Sequence, residues 1–273
     1  MDISVIIPTY KPGEYIWSCL DSFCAQSMPK ESFEIIVVLN GCKNPYDAAL
    51  REYFSSHPDL NWYYIQTDIP GVSNARNLAL DSCRGEYVAF VDDDDYVSPS
   101  YLEELFARSS ADTIALCYPY AFHDGFPEKQ LSYEITDAYE QYSGRGKIKA
   151  LSVRKYFSGP CMKMIPIAYI SDRRFDIRFK NGEDSLFMFL ISDRMEWVNF
   201  TSKQAVYYRR FRANSAVTSK QSVGDVIKNC RARIRAYTGI YFSNPSRYSF
   251  RRYCMYLLGT VHIMVSRLLT GKI

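Results

Sequence analysis

The run Glu86-Tyr87-Val88-Ala89-Phe90-Val91 ends without transition in four consecutive aspartates, Asp92, Asp93, Asp94 and Asp95. Adjacent carboxylates repel, and each resists ionising beside the others. An apolar run that stops at acids reads as a buried strand delivering charge to the rim of a sheet. In open α/β sheets that rim, at the carboxyl ends of the strands, is where ligands bind. Oxygen ligands at this density suit a hard divalent cation, Mg²⁺ or Mn²⁺, carrying phosphate. The plainer alternative is a solvated loop capping the next helix, because Ser98-Pro99-Ser100 before Tyr101-Leu102-Glu103-Glu104-Leu105-Phe106 is a good helix start. The strand in front of the acids favours the cation.

The rest of the N-terminal part supplies a sheet for that strand. Strand patterns at Ile3 to Ile7, Phe33 to Leu39, Leu60 to Ile65, Tyr87 to Val91 and Thr113 to Cys117 alternate with helical patterns near 14–25, 47–54, 73–82 and 99–109. Such alternation predicts an α/β fold, a Rossmann-like mostly parallel sheet flanked by helices. Periodicity fades from Tyr118 to Lys155, which reads as a loop-rich insertion. It returns as a helix over Ser185 to Arg194, a strand near Val198 to Tyr208, and a helical stretch from about Val223.

Charge is distributed unevenly. Residues 203–273 hold fourteen Lys/Arg against one acid, a net +13, while residues 1–202 hold nineteen against twenty-nine, a net −10. A basic C-terminal quarter implies an anionic partner. The eight cysteines form no C-x-x-C pair and several lie in apolar runs, so they read as reduced thiols. A strand begins at Ile3 and leaves no room for a signal peptide, so a cytoplasmic protein is expected.

Four motifs occur in order: Ile3 to Tyr10 (Ile-Ser-Val-Ile-Ile-Pro-Thr-Tyr), Gly71-Val72-Ser73-Asn74-Ala75-Arg76-Asn77, Asp92-x-Asp94-Asp95, and Gly182-Glu183-Asp184. Together they resemble the family-2 glycosyltransferases of GT-A fold, over residues 3 to about 218. The resemblance implies transfer of a sugar from a nucleotide-diphosphate donor, with UDP-sugars favoured, to an acceptor hydroxyl. It implies inversion at the anomeric carbon, supported by a divalent metal, Mn²⁺ or Mg²⁺. Residues 1–117 would be the nucleotide-sugar-binding half, 118–218 the acceptor and catalytic half, and 219–273 a basic helical C-terminal region.

The turn Pro8-Thr9-Tyr10 can offer backbone groups and an aromatic ring to a base and ribose. Tyr10 is equally readable as a core aromatic, and Lys11 stands where the family usually has Asn. Asn40 stands where relatives commonly carry an acid. Its amide can accept from a uracil N–H, or Asn40-Gly41 can be a turn that needs positive φ. Arg76, near a helix N-terminus, can pair with phosphate or with an acid near the base.

Aligned on the family pattern, Asp92 and Asp94 are the metal pair around Asp93. Asp94 is the direct ligand, Asp92 holds the ribose or a metal-bound water, Asp93 belongs with the nucleotide contacts and Asp95 orients the loop. Glu183 and Asp184 could merely cap the helix that follows. The resemblance makes Asp184 the general base and Glu183 a sugar or acceptor contact. Tyr207 to Ser215 resembles the late loop that closes over the diphosphate, with Arg210 or Arg212 reaching the phosphates.

Residues 253–266 form a fourteen-residue stretch without formal charge between basic flanks. A spanning helix needs roughly 20 apolar residues. The stretch therefore reads either as a helix lying on the inner face of the cell membrane, with Arg247, Arg251, Arg252, Arg267 and Lys272 near anionic headgroups, or as a helix packed on the core or a partner subunit. The reading is a glycosyltransferase of cell-surface polysaccharide or lipid-linked glycan synthesis, its partners a nucleotide-sugar and a glycan or lipid-linked acceptor, with no nucleic acid. Alternatives are transfer to a polyprenyl phosphate and a non-catalytic protein binding anionic ligands. A nucleotidyltransferase would show a Gly-rich, Arg-bearing loop after the first strand, which Pro8-Thr9-Tyr10-Lys11-Pro12-Gly13 is not.

Overall fold

The computed structural model describes residues 1–212 and 222–270. Strands β1 (Ile3–Thr9) and β2 (Phe33–Asn40) are buried at every position. That is the mark of strands covered on both faces, the usual setting of a parallel sheet. Helix α1 (Tyr15–Cys24) covers them through Ile16, Cys19, Leu20 and Phe23. Helix α2 (Tyr46–Ser56), β3 (Asn61–Thr67), α3 (Val72–Ser82) and β4 (Tyr87–Phe90) follow.

β1 pairs in parallel with β2 on one side and β4 on the other, and β2 pairs in parallel with β3. The chain therefore steps outward from β1 to β3 and then returns to lay β4 against β1. Strand order reverses between β1 and β4, which opens a crevice at their carboxyl ends. The four aspartates begin two residues after β4 ends, at that crevice.

Beyond it lie β5 (Tyr96–Val97), α4 (Tyr101–Arg108), β6 (Thr113–Leu116), β7 (Tyr118–His123), β8 (Phe126–Gln130), α5 (Glu134–Tyr142) and β9 (Ile148–Lys149). Two 3₁₀ turns over Ala150–Ser158 lead to β10 (Lys163–Pro166) and α6 (Ile167–Ile170). Helix α7 (Glu183–Leu190), β11 (Trp197–Phe200), β12 (Val206–Phe211), α8 (Val223–Ser243) and α9 (Phe250–Thr270) complete the chain. The main sheet has the order β3-β2-β1-β4-β10-β6-β11-β9, with β10 antiparallel to both neighbours. A second sheet, β5-β12-β7-β8, stands beside it.

Two expectations need correction. Residues 118–155 are not loop-rich: they carry β7, β8, α5 and β9. β8 is exposed throughout and β7 alternates irregularly, so neither leaves an apolar run to read. The single strand expected near Val198 to Tyr208 is two strands in different sheets, β11 and β12. Ser98 holds the turn between them, its Oγ donating to Gln204 O at 2.6 Å and accepting from Val206 N at 2.8 Å.

The C-terminal hairpin has its own core, where Leu186 and Phe189 of α7 meet Tyr237, Tyr248 and Tyr253. Arg252, expected near headgroups, instead donates to Ser192 O at 2.6 Å. Farther along α9, Leu258, Val261, Ile263, Val265 and Leu269 are exposed. Among the described residues no helix is long and apolar enough to cross a membrane.

At the amino end of the sheet Ser4 Oγ donates to buried Glu34 Oε1 at 2.6 Å and accepts from Gly85 N at 2.9 Å. A Cβ on Gly85 would sit 2.5 Å from Ser4 N and 2.6 Å from Ile3 C. Backbone cannot yield there, so Gly85→Ala is expected to destabilise the fold by about 1–3 kcal/mol. Thermal unfolding should show a midpoint lower by several degrees; an unchanged midpoint would disprove this close approach.

Candidate functional site

The crevice between β1 and β4 collects the aspartates. Thr9 at the end of β1 donates its hydroxyl to Asp93 Oδ2. Asp95 N–H returns to Asp92 O at 3.1 Å, folding the four acids into a tight turn. Buried Tyr207 on β12 fixes that turn, its hydroxyl accepting from Asp92 N at 3.2 Å. Burial first, and then repulsion from Asp94 and Asp92, pushes the Asp93 carboxyl up to about 7. The same causes raise Asp95 well above the carboxylate range. Asp94 is raised too, by burial and by Asp92. The cluster thus holds more negative charge than its surroundings compensate.

Arg76 joins this cluster to a second one. The residue is 2% exposed. Nη2 donates to Asp92 Oδ1 at 2.9 Å, and Nη1 donates to Asp184 Oδ1 at 2.6 Å. α3 supplies it because Ala75, Ala79 and Leu80 bury that face of the helix and carry Arg76 inward. Phe175 forms its floor, with the guanidinium carbon 5.3 Å from the ring centroid. Phe175 stacks on Phe187 of α7 at 3.8 Å, and Asn77 locks the Phe175 backbone through two hydrogen bonds of 2.8 and 2.9 Å.

Asp184 lies in the first turn of α7, after Gly182 in the left-handed region (φ 85°). Arg76 holds Oδ1, and among the described residues Oδ2 accepts no hydrogen bond. Burial, then Asp92, raises the Asp184 carboxyl against the pull of Arg76. Glu183 is pushed up to about 7 by burial and then by Asp184, and its Oε2 is buried without a hydrogen-bond partner. Behind the pair sits Lys163, fully buried in β10, donating to Gly159 O and Cys161 O at 2.6 Å each. Desolvation pulls its ammonium down to about 8. From α8, Arg233 lays its guanidinium against Gly182, where a Cβ would come within 2.5 Å of Nε.

The sequence-selected residues fall into two groups. Asp92, Asp93, Asp94, Arg76, Glu183 and Asp184 converge with Thr9 on the crevice. Tyr10 is half-exposed at its mouth. Pro8 is buried within β1, opposite Val38. Asn40 is turned inward, its amide donating to Thr9 O at 2.7 Å and its oxygen accepting from Gly71 N at 2.8 Å. It braces three chain ends, and Gly41 after it takes the positive φ of the turn reading (66°).

Arg210 and Arg212 reach the aspartates: Arg210 Nε donates to Asp94 O at 2.9 Å and Nη1 pairs with Asp124 at 2.8 Å. Arg212 pairs with Asp94 Oδ2 at 2.6 Å and lies over Tyr15, 4.4 Å from the centroid. Ala213-Asn214-Ser215, the rest of the expected closing loop, and Lys272 lie outside the described residues. Lys163 and Arg233 were missed from sequence, and Asn77 and Tyr207, though inside recognised motifs, were given no role of their own.

The chain matches the model of glycosyl transferase family 2 over residues 4–171. The poly(ribitol-phosphate) beta-N-acetylglucosaminyltransferase TarS of Staphylococcus aureus is 28% identical over 225 residues, covering 80% of this chain. The chain spans 37% of TarS. The crystal structure of a TarS fragment with UDP-GlcNAc superposes with a TM-score of 0.74 at 23% identity, covering 96% of this chain and 72% of that one. The mannosyltransferase PcManGT of Pyrobaculum calidifontis, solved with GDP-Man and Mn²⁺, has a TM-score of 0.58 at 16% identity, covering 98% and 79%. The expected GT-A architecture stands.

Removing the guanidinium should leave Asp92 and Asp184 facing one another. Arg76→Ala is expected to cost about 3 kcal/mol, toward the low end for a broken buried pair because Asp184 keeps about a third of its side-chain exposure. Arg76→Lys should restore only part, since one ammonium cannot bridge both acids. Chemical denaturation of the three proteins checks this order. Because Glu183 holds its proton more tightly folded than unfolded, its contribution to stability should fall as pH rises from about 4.5 through about 7. Glu183→Gln should flatten that slope, and parallel slopes in the two proteins would contradict it.

Proposed function

The chain belongs to glycosyl transferase family 2, and on that premise we propose that it moves a sugar from a UDP-sugar to a hydroxyl of a cell-surface glycan, inverting the anomeric carbon. The observation that carries this reading is the Arg76 bridge: one cation ties Asp92, in the donor cluster, to Asp184, heading α7. Inversion needs a base on the opposite side of the anomeric carbon from the diphosphate, and therefore on a different loop from the donor acids. Asp184 meets that need.

Asp184 Oδ2 takes the proton of the acceptor hydroxyl as its oxygen bonds the anomeric carbon. The bond from that carbon to the diphosphate breaks, and its electron pair leaves with UDP. Burial keeps the Asp184 carboxyl more basic than a surface aspartate, closer to the pH at which a base is useful. Arg76 holds the other oxygen and so fixes the direction of the free lone pair. Tyr10, exposed at the crevice mouth, offers a face to the base. Support for uracil is the UDP-GlcNAc bound by TarS.

The aspartate cluster suits Mn²⁺ or Mg²⁺ by its chemistry: oxygen donors, excess negative charge, and Arg212 beside Asp94 as an internal countercharge. Among the described residues no group of three candidate ligands is assembled. A cation arriving on a diphosphate needs only one or two carboxylates. Asp94, with Asp92, would hold it, and it would neutralise charge on the departing UDP. PcManGT was solved with Mn²⁺. Arg212 would then be released from Asp94 toward the phosphates.

Asp184→Asn should lower UDP release from UDP-sugars, with cell-wall glycan as acceptor, by about 10²–10⁴-fold. It should leave the UDP-induced rise in melting temperature intact. Asp94→Asn should reduce both turnover and the Mn²⁺-dependent part of that rise. Full turnover in Asp184→Asn would remove the base assignment. A larger thermal shift with GDP, CDP or dTDP than with UDP would overturn the donor.

A further inference from the structure

A cavity of about 800 Å³ lies between the α8–α9 hairpin and the wall made by α5 and the Ala150–Ser158 turns. At its inner end are Ser158, Gly182 and Ser185, the residues that flank Gly159 and the Glu183–Asp184 pair. A Cβ on Gly159 would stand 3.6 Å from Asp184 Oδ2, the oxygen left open by Arg76. The cavity therefore ends beside the segments that carry the Asp184 carboxylate.

Its charge is one-sided. Arg154, Arg209 and Arg233 line it, and among the described residues none of the three forms an ion pair with a carboxylate. The acid in the wall, Glu134, is paired with Lys155 at 3.1 Å. Arg233 donates Nη2 to Ser185 Oγ at 3.1 Å, with its buried Nε unpartnered against Gly182, and Arg209 donates to the Tyr133 hydroxyl. Planar guanidiniums free of carboxylates are suited to phosphate oxygens. The remaining wall is apolar, with Ile135, Phe157, Val226, Met255 and Ile263. On the outer side of α9, Leu258, Val261, Val265 and Leu269 make an exposed stripe at helical spacing.

We propose that this cavity is the acceptor subsite and that it takes a sugar carried on a lipid through a phosphate. The inference rests on the glycosyltransferase reading, with Asp184 as base. The guanidiniums hold the phosphate, the apolar wall takes the first part of the hydrocarbon chain, and the sugar hydroxyl extends past Ser158 and Gly182 to Asp184. The outer stripe of α9 lies on the bilayer from which the chain is drawn, with basic residues near its headgroups. A soluble phosphate polymer would use the guanidiniums and leave both apolar surfaces without a role.

The test uses the full chain and three probes: decyl phosphate below its micelle concentration, decyl glucoside, and glycerol phosphate. Titration calorimetry should give tightest binding for decyl phosphate. Arg154→Gln should weaken it severalfold and Arg154→Gln/Arg233→Gln by about tenfold or more, with an unchanged UDP-induced thermal shift reporting an intact fold. Arg154 is exposed, so its single variant remains informative if the double variant folds poorly. Equal affinity for decyl glucoside would overturn phosphate recognition, and equal affinity for glycerol phosphate would overturn the lipid carrier. No binding of any probe, with the UDP shift retained, would overturn the cavity assignment alone. Absence of a shift with every nucleoside diphosphate would overturn the glycosyltransferase reading instead.

Discussion

One guanidinium organises the site. Arg76 lies under the crevice, closed off from water, and carries a carboxylate on each arm. A buried cation with a single acid would be a doubtful source of stability, because desolvation can exceed the Coulombic gain. With two acids and the face of Phe175 against it, the charge is compensated on several sides. The consequence is geometric. Asp92 follows β4 and Asp184 begins α7, ninety-odd residues apart, and neither can drift without dragging Arg76 and the α3 helix that holds it.

The aspartate turn depends on the topology in a second way. Strand order reverses between β1 and β4, so no crossover covers the carboxyl ends there. Thr9, Tyr207 and the Arg210 backbone hold the acids in that opening, and burial first, with their mutual repulsion after it, raises three of them together. Arg212, directly after β12, supplies the countercharge and also touches Tyr15 of α1. With Tyr207 and Arg210, this contact ties the aspartate turn to the position of the second sheet.

The surroundings of Asp184 are built by later parts of the chain. Lys163 and Gly159 shape the ground behind Asp184, and the α8–α9 hairpin reaches it with Arg233. A tyrosine-rich core of Phe189, Tyr237, Tyr248 and Tyr253 attaches the hairpin to α7. Half of α9 is thereby anchored, with Arg252 and Tyr256 bonded to backbone carbonyls, and the other half keeps its apolar stripe in solvent. Part of the surplus charge of the C-terminal quarter is used inside the protein: Arg209 donates to the Tyr133 hydroxyl, Arg233 to Ser185 and Arg252 to Ser192 O.

The alternating strand and helix patterns, the apolar runs of β1, β2 and β4, and the acids at the end of β4 were legible because each rests on neighbours in sequence. Burial on both faces leaves a continuous apolar run, and a helix leaves its 3.6-residue period. The ordered segment 118–155 escaped because exposed β8 and irregular β7 leave neither mark. Asn40 was legible as a turn but not as an inward brace, since its partners Thr9 and Gly71 lie thirty-one residues away on either side. Local pattern by itself determined the alternating strands and helices of the N-terminal part and the chemistry available at the rim of their sheet. Only the tertiary structure decided that one arginine would serve both acids, that Lys163 would be buried behind them, and that a basic, apolar-walled cavity would open beside Asp184. Those outcomes depend on contacts between residues far apart in the chain, where no periodicity records the distance.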